Sequence, residues 1–318
     1  VNHTLELRPT QFKDFVGQKN LVKTLQTVIS SSQIQQKTLP HILFYGSPGM
    51  GKTTLVSIIA NQIGAKIHFI QGANIEKKSD LINVLSVINE GDIVFIDEIH
   101  SVNKNVVEFL YNAMEDFVFD LIIGVEGNSR SMRMKIKEFT LIGATTRIND
   151  LPQPLKDRFG YIGRLVNYEE DEISKILENS AKRLNVNIEK DCIKKISQYS
   201  RKTPRIANHL LQRVNDFAIS LNNGMIDLKI IQKTFKSLDL YKYGLTKDHV
   251  EYLELLKENF YEKYVSLLTL SSLIKFNKEN IVSDIEPILL FYNLIEKNSR
   301  GRRITTQGID YLFSCRRD

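Results

Sequence analysis

The stretch Gly46-Ser47-Pro48-Gly49-Met50-Gly51-Lys52-Thr53-Thr54 constrains the fold more than any other in the chain. It follows the apolar run Ile42-Leu43-Phe44-Tyr45 and leads into a helical pattern from Leu55 to Ile63. Gly-x-x-x-x-Gly-Lys-Thr between a strand and a helix is the spacing of a phosphate-binding loop. Gly46, Gly49 and Gly51 let backbone N–H groups wrap an anion, and the helix N-terminus adds favourable potential. Lys52 then reaches the terminal phosphates of a nucleoside triphosphate. The Thr53 hydroxyl sits on Mg²⁺, with Thr54 beside it at the helix start.

A second signal is Ile93-Val94-Phe95-Ile96-Asp97-Glu98-Ile99-His100. Four apolar residues read as a buried parallel strand ending in two carboxylates. In open α/β sheets, ligands collect at the C-terminal strand ends. Asp97 is placed to hold the metal and Glu98 to orient and deprotonate an attacking water. Phosphoryl transfer asks mainly for such positioning and charge neutralisation.

Short apolar runs at 42–45, 67–70, 93–97, 139–145 and 162–166 alternate with amphipathic stretches. Alternation of this kind predicts a parallel sheet covered by helices. With 318 residues, two or three domains are expected. No apolar run is long enough for a bilayer, and the N-terminus lacks a basic-plus-apolar leader pattern. The chain opens on Val1, and a short preceding piece is expected. Cys192 and Cys315 have no metal-like spacing and suit a reducing cytosol, so the expected location is cytoplasmic. A net charge of +6 favours a polyanionic partner, or else reflects a lysine-rich surface kept for solubility.

Three further polar positions follow apolar runs. Thr146, with Thr145 close behind, could sense the terminal phosphate, although Thr145 could simply bond to backbone. Arg158, in Leu155-Lys156-Asp157-Arg158-Phe159-Gly160, could neutralise transition-state charge from a neighbouring subunit or pair with Asp157 or Asp150. In Thr203-Pro204-Arg205-Ile206 the proline sets a helix start, from which Arg205 could reach bound nucleotide.

From Glu169 to Leu238 apolar residues recur at helical spacing, predicting a small helical bundle. A weakly patterned connector spans 237–247, followed by three short helix-like stretches ending near Leu290. Then 294–297, a turn at 298–301 and 302–305 read as a basic two-strand ribbon. Helices followed by such a ribbon suggest a winged helix. Lys297, Arg300, Arg302 and Arg303 around Gly301 are candidate phosphate-backbone contacts, with Arg316 and Arg317 adding charge at the tail. The segment from Phe117 to Lys137 alternates on both sides of Gly127-Asn128-Ser129-Arg130-Ser131, a hairpin pattern. Its apolar side, with Val118, Leu121, Ile122 or Ile123, either packs on the core or awaits a partner.

Taken together these segments resemble the AAA+ ATPases, and among them the RuvB family of Holliday-junction branch-migration motors, over nearly the whole chain. The carriers are Leu7-Arg8-Pro9, Phe15-Val16-Gly17-Gln18, the two motifs above, Ala113-Met114-Glu115-Asp116-Phe117, 141–147, 155–160, Thr203-Pro204-Arg205-Ile206-Ala207-Asn208 and Arg300-Gly301-Arg302. The resemblance implies an α/β P-loop domain (1–166), a small helical lid (167–240) and a C-terminal winged helix (241–318). It implies an ATP- and Mg²⁺-dependent motor for recombination and repair, working as a homohexameric ring on duplex DNA with nucleotide between subunits. It places Leu7, Arg8, Val16, Gly17, Glu115, Asp116, Phe117 and Tyr168 at the nucleotide. Thr146 becomes the first sensor, Arg205 the second, and Arg158 a finger acting in trans. Lys297 and Arg302 match basic DNA contacts. The 117–137 hairpin matches the dock for a RuvA-like junction-binding protein, and a RuvC-like resolvase is a further implied partner.

Several positions depart from the family pattern: Ser47 in the loop, Ser101 after the acidic strand and Asn298-Ser299 in the wing. The largest departure is Tyr264-Val265-Ser266-Leu267-Leu268, apolar where the family has a glycine-rich turn. Two rival readings differ in consequence. A clamp-loader subunit would end in a helical collar without strands, and a nucleotide-gated regulator would prefer one DNA sequence.

Overall fold

The computed structural model describes residues 7–315, so Arg316 and Arg317 lie outside the described residues. The fold begins with α1 (Lys19–Gln35), followed by β1 (Ile42–Tyr45), α2 (Lys52–Ile63), β2 (Ile67–Gln71), α3 (Lys78–Leu85) and β3 (Ile93–Asp97). Then come α4 (Lys104–Glu115), the hairpin β4 (Val118–Ile123) and β5 (Arg130–Lys135), β6 (Thr140–Thr145), α5 (Gln153–Asp157) and β7 (Tyr161–Arg164). Five strands form one parallel sheet in the order β2-β3-β6-β1-β7. The expected strands are all present, with ends shifted by one or two residues.

The sheet is parallel because its central strands are apolar on both faces. Every residue of β6 is buried, as are the first four of β3 and the first three of β1. Leu43, Val94, Ile96 and Leu141 share one core with Val106, Leu110 and Met114 of α4. Such strands need helices on each side, and crossover helices supply them. The edge strands β2 and β7 are only partly covered.

Contacts divide the chain into two compact units. One is Val1–Asn185 with Lys202–His209, and the other is Val186–Arg201 with Leu210–Asp318. The first carries the sheet, α6 (Glu170–Arg183) and the opening turns of α8 (Pro204–Leu221). The second carries α7 (Lys190–Gln198), the remainder of α8 and α9 (Leu228–Ser237). The weakly patterned connector contains a small antiparallel pair, β8 (Leu240–Tyr241) and β9 (Leu245–Thr246), too short to leave a period-two signal.

The terminal domain follows with α10 (Lys247–Leu255), α11 (Leu267–Leu273) and α12 (Lys278–Asn280). A π-helical turn then leads into α13 (Glu286–Phe291). The ribbon β10 (Ile295–Asn298) and β11 (Gly301–Ile304) precedes α14 (Thr306–Cys315). Val265 adds a one-residue third strand, exchanging N–H···O bonds of 2.9 and 3.0 Å with Arg302. Gly301 must be glycine for this: a Cβ there would lie 2.1 Å from the Val265 carbonyl oxygen, at a φ of +129°. The apolar Tyr264–Leu268 stretch therefore has a local job. It supplies the bridge and leads into α11, whose Leu270 is fully buried.

Candidate functional site

The candidate site is a cleft at the C-terminal ends of β1 and β3. Among its lining residues are Leu7, Arg8, Phe15, Val16, Lys52, Thr53, Asp97, Glu98, Tyr168 and Arg205. The loop is shaped by close backbone approaches. Gly51 takes φ +108° as the residue preceding α2, and a Cβ on Gly49 would lie 2.9 Å from Thr203 Cγ2. Lys52 is 7% exposed, and its ammonium donates to the carbonyls of Gly46 and Ser47 at 2.9 and 2.8 Å. Burial pulls its pKa down, and the nearby carboxylates of Glu98 and Asp97 oppose that.

Glu98 leaves β3 in the left-handed region, φ +50°. Thr146 Oγ1 donates to Glu98 Oε2 at 3.2 Å, and His100 Nε2 lies 3.3 Å from the same oxygen. Thr145, the alternative sensor, is occupied: its Oγ1 accepts from Arg147 N at 2.9 Å and meets His100 Nδ1 at 2.7 Å. His100 thus ties the two strand ends together, a role that its place in the acidic motif did not reveal.

Toward the other end of the cleft, Tyr168 donates to the Met50 carbonyl at 3.0 Å and is held protonated by burial. Gly17 is tight against it: a Cβ would come within 2.7 Å of Tyr168 Cε1. Arg183 donates to the Leu7 carbonyl, and Ser180 to Asn208 Oδ1 at 2.6 Å. Arg183, Ser180, Asn208 and Asn179 all line the cleft, and sequence reasoning gave them no role. Only Asn208 lay inside a quoted motif. Two guanidiniums share this space. Arg8 has its pKa lowered by burial first and by Arg205 second. Cations that disfavour one another in a cleft make a place for an anion.

Arg158 is elsewhere. Its guanidinium lies 3.2 Å from Glu115 Oε2, donates to the Pro154 carbonyl at 2.8 Å and sits 4.3 Å from the centre of the Tyr111 ring. Asp157 instead accepts from Gln153, and Asp150 pairs with Arg147 at 3.7 Å, so neither suggested partner is used. Glu115, Asp116 and Phe117, expected at the nucleotide, are not among the residues lining the cleft of the same chain; Glu115 ends α4 and pairs with Arg158.

Two other expectations are corrected. Val118, expected on the exposed side of the hairpin, is 7% exposed, and only its neighbour Phe119 joins the main core. The exposed apolar residues are Ile122, Ile123 and Val125, with Met132 and Met134 on the second strand opposite Leu121 and Phe119. Arg302, expected to contact DNA, is 4% exposed. Its guanidinium donates to both oxygens of buried Glu286, at 2.7 and 3.1 Å, and Tyr252 adds a third bond to that carboxylate at 2.8 Å. A guanidinium buried and paired in this way with a carboxylate inside the domain is not presented to a phosphate backbone. Arg303 is held by Glu296, which also accepts from Tyr264. Lys297 and Arg300 are the ribbon cations left on the surface, Lys297 lying 3.7 Å from Glu286.

The model of the Holliday junction DNA helicase RuvB P-loop domain matches residues 7–165, that of the RuvB AAA lid domain 168–241 and that of the RuvB C-terminal winged helix domain 242–313. The chain belongs to the RuvB family. A Holliday junction branch migration complex subunit RuvB from Mycoplasmopsis synoviae is 64% identical over 306 residues, covering 96% of this chain and 97% of that protein. Its counterpart from Mycoplasmopsis pulmonis is 48% identical over 307 residues, covering 96% and 98%. Among solved structures, the Thermotoga maritima RuvB Holliday junction branch migration motor superposes with a TM-score of 0.80 at 34% identity, over 97% of this chain and 98% of that one. The fold is therefore a RuvB P-loop domain with an AAA lid and a winged helix, in a nucleotide-binding family of P-loop ATPases. Among the described residues no helix is long and apolar enough to cross a membrane.

Proposed function

We propose that the chain is an ATP-driven DNA motor that moves Holliday junctions during recombination and repair, acting in the cytoplasm as a homohexameric ring. The observation that carries this reading is the convergence of Lys52, Thr53, Asp97 and a Thr146-bound Glu98 on one cleft that also holds Arg8 and Arg205. The domain boundaries that go with it are 1–166, 167–240 and 241–318.

The donor set fits Mg²⁺. Among the described residues no group of three or more acidic, histidine or cysteine side chains forms a ready cage. A metal held by one hydroxyl or carboxylate plus substrate phosphates needs none. Thr53 and Asp97 would hold it, and the metal would neutralise charge on the phosphates. Lys52 releases the Gly46 and Ser47 carbonyls to take the terminal phosphates. Glu98 accepts a proton from the attacking water, while Thr146 fixes the carboxylate's direction. Arg205 and Arg8 balance phosphate charge in cis. Arg158 supplies charge to the site of the adjacent subunit, since it pairs with Glu115 and does not line the cleft of its own chain. Loss of the terminal phosphate removes these contacts, so the lid shifts and carries the winged helix and its DNA.

Partners follow the same reading. Lys297 and Arg300 lie along duplex DNA without reading its sequence. The exposed Ile122, Ile123 and Val125 dock a RuvA-like protein, and a RuvC-like resolvase acts on the same junction. The test is ATP turnover with and without duplex DNA for wild type and Glu98→Gln. DNA-stimulated turnover that the substitution abolishes, with ring assembly retained, supports the reading. Equal turnover by both proteins overturns it.

A further inference from the structure

His41 precedes β1, at the end of the strand remote from the phosphate loop. Its ring has a partner on each nitrogen. Nδ1 accepts from Leu141 N at 2.8 Å, so the proton is on Nε2, which donates to the Met114 carbonyl at 2.6 Å. One acceptor and one donor fix a neutral imidazole. Burial, which lowers its pKa, keeps it so. Phe117 and Phe139 flank the ring at 6.0 and 5.7 Å.

The backbone of His41 makes a further link. Its carbonyl accepts from Gly160 N at 2.9 Å, and a Cβ on Gly160 would lie 2.6 Å from Pro40 Cβ. The turn that follows Arg158 is therefore pressed against residues 40 and 41. The carboxylate that pairs with Arg158 belongs to Glu115, next in sequence to the Met114 whose carbonyl His41 holds. Two supports of the guanidinium, its own turn and its partner's helix end, thus both bond to His41, beside its contacts with the Pro154 carbonyl and the Tyr111 ring. The phosphate loop of the same chain begins past the four residues of β1, about 13 Å away at roughly 3.3 Å per residue.

We propose that His41 is the positioning residue for Arg158, so that it governs hydrolysis at the neighbouring subunit's nucleotide rather than at its own. This rests on the reading that Arg158 acts in trans.

The test uses full-length rings. His41→Asn keeps an acceptor for Leu141 N–H but cannot reach the Met114 carbonyl, while His41→Gln restores a donor to it. Gly160→Ala drives the turn off Pro40 without touching the ring. His41→Asn and Gly160→Ala are expected to lower kcat roughly ten- to hundredfold, as an ångström of misplacement does. KM should stay within about twofold, because ground-state binding is untouched, and His41→Gln should recover most of the loss. Each variant, and Arg158→Ala beside them, is then mixed with Glu98→Gln, which lacks a working site but keeps its finger. Mixed rings should turn over faster than either parent. Rescue of Arg158→Ala without rescue of His41→Asn and Gly160→Ala overturns the role of His41 and leaves the trans finger standing. Failure of all three, Arg158→Ala included, overturns the trans reading itself. A loss of nucleotide affinity by His41→Asn and Gly160→Ala would reduce His41 to a support of its own site and also contradict the proposal.

Discussion

The hydroxyl of Thr146, just past the end of β6, lies 3.2 Å from Oε2 of Glu98, just past the end of β3. Two neighbouring strands thus deliver a carboxylate and the group that aims it. Removing the hydroxyl should leave nucleotide bound and the base misdirected. Thr146→Val is expected to lower kcat about a hundredfold, the lower end of what a positioned base contributes, with KM little changed. Thr146→Ser should keep most activity. Steady-state ATP turnover measures both.

Lys52 is the cation the loop keeps in reserve, bonded to Gly46 and Ser47 carbonyls. A ligand that binds only the folded protein raises its apparent stability by mass action. Wild type should therefore melt several degrees higher in saturating ATP and Mg²⁺. Lys52→Ala should show little of that rise while melting near wild type without nucleotide. Differential scanning fluorimetry with a nucleotide titration reads both.

Two arginines of the ribbon should behave oppositely. Arg302 is locked to buried Glu286, and removing it leaves that buried charge with only the half-exposed Lys297 at 3.7 Å as counter-ion. Arg302→Ala is expected to destabilise the terminal domain by about 3–5 kcal/mol, seen in urea unfolding. Arg300 is exposed, and its loss should change stability by less than about 0.5 kcal/mol. Arg300→Ala should instead weaken DNA binding and reduce the salt slope by about 0.9, seen in fluorescence anisotropy at several salt concentrations.

What the sequence carried and what it withheld differ in range. The Gly46–Thr54 loop and the run ending in Asp97 and Glu98 are local: apolar strands, glycines and terminal carboxylates stand next to one another, so spacing alone predicts their place. Thr145 and Thr146 could not be separated that way, because the choice depends on His100, which pairs with one and approaches the partner of the other. The Arg158–Glu115 contact links two helix ends, and nothing within either segment announces it. The Glu286–Arg302 pair misled for the same reason: an arginine beside a glycine turn reads as exposed until a carboxylate from helix α13 is found beneath it. Residues 264–268 read as a departure from pattern, yet Val265 forms the bridge that completes the wing.

His249 gives the terminal domain a pH dependence. It is 5% exposed and its Nδ1 accepts from Thr246 N at 3.1 Å. Burial, and then the charge on Arg201, lower its pKa from 6.5 to about 4. The unfolded chain therefore takes the proton first as pH falls. The stabilising effect of neutral His249 is complete above the ordinary value and is lost progressively from about 6.5 down to about 4. The urea midpoint should drop between pH 7.5 and 5, and His249→Gln should drop less over the same range.

Conversion of a synthetic four-way junction, with ATP, Mg²⁺ and a RuvA-like junction-binding protein, tests the central claim most directly. Wild-type protein should convert the junction to duplex products, and Glu98→Gln should bind it and leave it intact. Junction conversion by Glu98→Gln at the wild-type rate, or ATP use by wild type with the junction left unmoved, would contradict the account.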